Sequence, residues 1–411
     1  MSSVHPDEAV VPVRSNAAHF AGFDGLRAIA ALAVLVAHVA GWTGLTTGNA
    51  AVGAYTARLG EFGVAVFFVI SGFLLYRPYA LAHLRGGPAP DAARFYRRRF
   101  FRIFPPYWVA LTAFVFVFDH AAVHTPSEAA QLYLLFHIYD ADTVLAGLPQ
   151  AWSLAVEVSF YAFLPGLALL VAQAGRRLVR HGESPIKAEL AAMGVLYAVG
   201  VCFRLAVVLV APSSISPTSS WLLAKLDWFA LGMAFAVISA AAEIGTRLPG
   251  LLVALGRRPL VSWLLAAEVY WLLVQQDLPR GFQQLTGAQL MGKHLFLGTA
   301  AALLVLPAVF GPGGPSTVRS VLLSRPLRWI GAASYSVFLW HFLWMHEAAG
   351  WLDIPLFGGG FWLLLGATLA LTLPWAALCY RWIERPAMAR AAPREWRPGP
   401  EAAAAGSQVQ S

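Results

Sequence analysis

Residues 23–39 read FDGLRAIAALAVLVAHV, and the reading of this stretch decides the class of fold. It is apolar enough to span a membrane, yet it carries Asp24, Arg27 and His38. Ionisable groups are costly in hydrocarbon, so inside a spanning helix they mark function by default. Eleven residues separate Arg27 from His38, about three turns plus ~20°, so both lie on one stripe with His38 roughly 16 Å deeper. Asp24, one turn before Arg27, is placed to pair with it. The plainer reading is a terminal Arg that snorkels and a His satisfied by helix packing.

The rest of the chain agrees with a membrane setting. Of its 411 residues 58% are hydrophobic and 12% charged, about half the charge of a soluble domain. The sequence predicts an all-α polytopic membrane protein with no separate soluble domain. About ten transmembrane helices are expected, over 22–41, 62–84, 103–119, 151–172, 189–211, 219–242, 259–276, 289–310, 327–348 and 358–382. Residues 129–139 (AAQLYLLFHIY) are too short to span and read as re-entrant or interfacial. The first apolar run exceeds a signal-peptide core and no basic segment directly precedes it, so it reads as a retained helix.

A formal charge of +8 is explained here by topology rather than by nucleic acid. With the first helix starting in the cytoplasm, most of the 29 Lys and Arg fall on the cytoplasmic side, as the positive-inside rule requires. Both termini are then cytoplasmic, in a multi-pass protein of the cell membrane. Residues 1–21 read as an N-terminal segment, 22–386 as the transmembrane domain and 387–411 as a disordered tail. Cys202 and Cys379 fall in apolar runs and suggest neither a disulfide framework nor a metal site.

Helix rise also gives depths. His38 lies ~14 residues into an outward helix, His341 about 14 residues into the ninth span, and Glu157 ~6 residues in from outside. All three reach a similar level in the outer half of the bilayer. Around them lie further motifs. The run RFYRRRFFRIFPPY at 94–107 reads as a cytoplasmic loop, with Arg98, Arg99 and Arg102 as a guanidinium cluster suited to phosphates. Its alternative is a stop-transfer cluster on anionic lipid head groups. In the segment from Trp152 to Tyr161, the residues Ser153, Glu157 and Tyr161 share one helix face. Glu157 could orient a histidine or form a structural ion pair with Arg204 or Lys225. Ser334 and His341, seven apart, share a stripe. Ser71 reads as small-residue packing beside Gly72. His120 and His124 have metal-like i, i+4 spacing without a third ligand, so no metal is expected. The His-x4-Asp pairs His19/Asp24 and His137/Asp142 read as chance.

In their order these motifs resemble the membrane acyltransferase-3 family over Phe23 to Pro386. The basic-residue, ten-residue, His pattern matches Arg27 and His38, and Arg-x-x-Arg matches Arg99 and Arg102. The WSLxxE-like segment matches Trp152 to Glu157, SYxxFLxH matches Ser334 to His341, and Glu384-Arg385-Pro386 resembles the closing motif. Because the chain stops soon after Pro386, it resembles the stand-alone form.

The resemblance implies a membrane enzyme moving an acyl group, often acetyl, from acyl-coenzyme A to a hydroxyl of a saccharide or lipid-linked acceptor. It implies acyl-coenzyme A as co-substrate and no bound cofactor. His38 would be the general base or form an acyl-histidine, and Glu157 would orient it or bind the acceptor. Arg98, Arg99 and Arg102 would hold phosphates, while Arg27 would meet the pantetheine end or developing charge. Asp24, Trp152, Ser153, Tyr161 and His341 complete the expected substrate-binding set. The competing class is a sugar, lipid or anion transporter or flippase, against which the lack of an internal repeat counts.

Overall fold

The computed structural model describes residues 20, 22–48, 50–144, 146–210, 217–276, 278–280, 284–311 and 316–391. Within them all regular structure is helical: α1 (Gly22–Trp42), α2 (Leu45–Gly48), α3 (Ala50–Arg85), α4 (Ala92–Thr112), α5 (Pro126–Tyr133), α6 (Ala151–Arg180), α7 (Pro185–Val210), α8 (Leu226–Glu243), α9 (Gly250–Arg257), α10 (Pro259–Val274), α11 (Gly287–Phe310), α12 (Thr317–Leu322), α13 (Arg325–Ala332), α14 (Ser334–Trp351), α15 (Phe361–Cys379) and α16 (Arg385–Arg390). The protein is a multi-pass membrane protein. Eight helices are long and apolar enough to cross a bilayer, or nine if α9 and α10, bent by 98° at their junction, form one span.

That corrects the expected ten. The stretch 327–348 is not one span: α13 carries Arg325 and Arg328 and ends at Ala332, and α14 restarts with 18 residues that include two His and a Glu. The basic run at 94–107 is not a loop either. Asp91 caps α4 by accepting the backbone N–H groups of Ala93 (2.9 Å) and Arg94 (3.3 Å), as an N-cap carboxylate does, so the arginines are helical and take different faces. Residues 129–139 form the end of α5 and a short 3₁₀ turn. Residues 387–390, expected in the disordered tail, continue α16. The assignment of both termini to the cytoplasm, His19 and the tail from 392 onward lie outside the described residues.

Packing sorts central from peripheral helices. In the apolar window of α8 67% of residues are buried inside the protein, against 28% in α7 and 22% in the last span. The centre is therefore α1, α3, α8 and α11, with α7 and α15 presenting apolar side chains outward. Lipid supplies no hydrophobic drive between helices, so close packing carries the association. Gly72 lies against the backbone of Phe229 and Gly232 against that of Val69; a Cβ at either would push α3 off α8. Phe229 is stacked on Phe68 (centroids 4.5 Å) and on Phe160 (4.1 Å), which ties α6 to the same seam.

One end of the bundle gathers the arginines. Arg85 donates to Glu243 (2.8 Å), as does Arg77, joining α3 to α8. Arg97 donates to the carbonyl of Arg390, joining α4 to α16. The starts of α1, α4 and α14 lie at this basic end, and their last turns lie at the opposite end. Each end also has one π-helical turn, 380–384 at the basic end and 113–117 at the other, a distortion often found beside functional sites.

Candidate active site

Helices α1 and α14 bring His38 and His341 together. His341 is 1% exposed. Its Nδ1 lies 2.8 Å from the carbonyl of Phe338 and 3.3 Å from that of Val337. A carbonyl only accepts, so Nδ1 carries the proton and Nε2 of the neutral ring is an acceptor. That Nε2 lies 3.1 Å from His38 Nδ1, so His38 donates through Nδ1–H. The bonding assigns the tautomer: His38 Nε2 keeps its lone pair, as a proton acceptor needs. The His38 ring also meets Phe342 edge-on, with centroids 5.5 Å apart.

Toward the basic end a cavity of about 190 Å³ opens between α1, α3, α4, α6 and α14. Three arginines line it, Arg27, Arg99 and Arg102, against one carboxylate, Glu157. Three half-buried guanidinium groups on one wall suit an anion. Glu157 Oε1 accepts from Ser71 Oγ (2.6 Å) and from Tyr161 OH (2.6 Å). Arg27 pairs with Asp24 at 3.3 Å. Arg99 lies over the ring of Tyr161 (5.7 Å), and its Nε is buried with no hydrogen-bond partner among the described residues. Arg102 is in electrostatic range of Glu384, a carboxylate 0% exposed that accepts from Ser336 Oγ at 2.8 Å. The π-helical turn delivers Glu384 to that position. Ser153, Ser334, Tyr335 and Phe338 complete part of the wall.

The expected residues are only partly gathered here. Arg98 is exposed and lies off the cavity, because it sits ~100° around the helix from Arg99 while Arg102 is one turn on. Trp152 does not line the cavity; Lys225 lies over its ring at 5.5 Å. Asp24 touches the site through Arg27. Two expected pairings are corrected. Glu157 takes hydroxyls from Ser71 and Tyr161, while the bonded partner of His38 is His341, so the carboxylate does not orient His38 directly. Nor does Glu157 pair with Arg204 or Lys225. Arg204 donates to the carbonyl of Ser219 (3.4 Å), and the Lys225 ammonium lies 4.7 Å from the centre of the Trp228 ring. Ser71, read as a packing residue, is a hydrogen-bond donor at the site. Its signal in the sequence is a hydroxyl in an otherwise apolar helix.

A family model described as an acyltransferase domain matches residues 20–381, which takes in both histidines and every arginine of the cavity. The chain belongs to the acyltransferase-3 family. Among curated relatives it is similar to YrhL of Bacillus subtilis (strain 168), 26% identical over 344 residues, covering 78% of this chain and 48% of the relative. It is also similar to the peptidoglycan O-acetyltransferase OatA of Listeria monocytogenes, 24% identical over 337 residues with the same coverage. To the acyltransferase MdmB of Streptomyces mycarofaciens it is 32% identical over 152 residues, 34% of this chain and 37% of the relative. The chain spans about half the length of the first two relatives. No solved structure matches it.

The protein has a second cavity, of about 390 Å³, at the end opposite the arginines. Trp42, Phe114, His120, His124, Phe342 and His346 are on its wall. His120 and His124 lie in the connection after the π-helical turn, not on a helix, so their spacing does not align them. His120 Nε2 instead donates to Glu347 Oε1 at 2.6 Å. Phe342, which touches His38, borders this cavity, and Phe338, about one turn earlier, borders the first. The histidine pair thus lies between the two.

Proposed function

We propose that the protein transfers an acyl group, acetyl in the first instance, from acyl-coenzyme A to a hydroxyl of an envelope saccharide or saccharide-linked lipid. The observation that carries this is the His38–His341 hydrogen bond. It leaves His38 Nε2 as a base, on the same helix as Arg27 of the arginine-lined cavity, which lies toward the basic end of the bundle. Arg99 and Arg102 hold the coenzyme A phosphates at that end, which by the positive-inside rule is the cytoplasmic one in this reading. Arg27 is ~16 Å along α1 from His38, so it meets the pantetheine arm and not the reacting carbonyl. The relative OatA, a peptidoglycan O-acetyltransferase by name, supports a wall saccharide as acceptor.

In the chemical step the acceptor oxygen attacks the thioester carbonyl as its proton passes to His38 Nε2. The tetrahedral intermediate then collapses and the C–S bond breaks. The leaving sulfur takes the proton back from His38, giving coenzyme A and the ester. His341 holds the ring of His38 through both stages, because its own proton is committed to the Phe338 carbonyl.

The test is coenzyme A release from acetyl- and longer acyl-coenzyme A by purified protein, with and without soluble glycans released from cell walls. Removing a general base costs about 10²–10⁴-fold, and His38→Ala is expected to lose acceptor-dependent release by that factor. Folded wild-type protein that releases no coenzyme A from any donor would overturn the proposal and favour transport of a sugar or lipid.

A further inference from the structure

The cavity at the end opposite the arginines carries on its wall Phe342, whose ring meets that of His38. We infer that it is the acceptor site, and that it takes a neutral, hydroxyl-rich saccharide ring. The inference deepens the proposed acyl transfer and rests on it.

Size comes first. At about 390 Å³ the cavity falls within the roughly 300–1,000 Å³ typical of small-molecule pockets. Chemistry comes second. No Lys, Arg, Asp or Glu lines the larger cavity, so nothing in it selects an ion. Its wall instead combines imidazoles, which donate and accept, with aromatic rings, an apolar body beside polar tips. His120 is held by Glu347 at 2.6 Å and lies against His346, with ring centroids 4.1 Å apart; His346 in turn meets Trp42 at 4.9 Å. The Glu347 carboxylate takes the Nε2 proton, so in neutral His120 Nδ1 is an acceptor for a substrate hydroxyl. Trp42 spends its indole N–H on the carbonyl of Ile354 (3.2 Å), so its contribution to a ligand is the ring.

Position comes third. Phe342 is shared between the cavity wall and the ring of His38, while exposed Ala122 and His124 put its mouth at the protein surface. Donor and acceptor therefore reach the histidine pair from opposite ends of the bundle. Neither has to leave before the other binds.

The test uses the full-length protein in lipid nanodiscs, radiolabelled acetyl-coenzyme A and soluble cell-wall glycan strands. His120→Ala is expected to raise KM for the glycan at least tenfold with Kd for acetyl-coenzyme A unchanged. Because truncation could disturb the fold, a second variant blocks the cavity from outside. Ala122→Cys, in a Cys202→Ala background, is alkylated with a bulky maleimide. Alkylation is expected to cut glycan transfer more than tenfold and to leave acetyl-coenzyme A binding intact. Transfer at the unmodified rate after full alkylation, or an unchanged glycan KM in His120→Ala, would overturn the assignment while acyl transfer stands. Unmodified protein that releases no coenzyme A with any glycan would instead remove the proposed function, and this inference with it.

Discussion

Two of the clusters of ionisable side chains inside this bundle are built differently. The first lines the arginine cavity: Arg27, Arg99 and Arg102 against Glu157, with the buried Arg99 Nε unpaired. The second lies between α3, α7, α8 and α11. There Lys293 pairs with Glu61 (2.7 Å), His294 with Asp227 (2.8 Å), and Lys225 caps the face of Trp228. Asp227 and His294 are 1% and 2% exposed. In the second group Lys293 and Glu61, and His294 and Asp227, satisfy one another and join helices. The first lines open space, and its arginines meet Asp24, Glu157 and Glu384 from the sides. A buried charge is thus weak evidence of function until its partners are known.

The comparison breaks most visibly in the second group. Asp227→Ala strips the buried His294 of its acceptor and takes counter-charge from Lys225 and Arg204. Removing one partner of a buried pair costs roughly 3–5 kcal/mol, so thermal unfolding in detergent should move down by several degrees, with acetyl-coenzyme A affinity of the folded fraction unchanged. Lost affinity at unchanged stability would merge the two groups. A smaller effect sharpens the first group. Ser71→Ala removes one of two hydroxyls on Glu157, a hydrogen bond to a charged group worth about 1.5–3 kcal/mol. Acetyl-coenzyme A affinity should fall about tenfold, with a melting shift smaller than that of Asp227→Ala. A large melting shift instead would return Ser71 to the packing role that its neighbour Gly72 suggests.

Much of this was legible in the chain before the fold. Apolar run lengths and arginine placement mark a multi-pass bundle, and helix rise puts His38 and His341 at one depth, where they meet at 3.1 Å. The same rise puts Glu157 level with them, but depth says nothing of azimuth, and its bonds go to Ser71 and Tyr161. The arginine run conceals its helix because so many charges read as a cytoplasmic loop. Once Asp91 starts the helix, Arg99 and Arg102 turn inward and Arg98 outward. The break at Ala333 is equally hidden, since residues 327–348 are apolar enough overall to pass for one span. The cavity beyond His38 joins residues from α1, α14 and two connections, a convergence that no local pattern encodes.

Donor holding and acyl movement fall to different residues, and equilibrium binding of radiolabelled acetyl-coenzyme A to wild type, to Arg99→Gln/Arg102→Gln and to His38→Ala separates them. The double arginine variant is expected to lose affinity by at least a hundredfold, and His38→Ala to bind as wild type does while losing transfer. Wild-type affinity in the arginine variant, or full transfer by His38→Ala, would contradict that division.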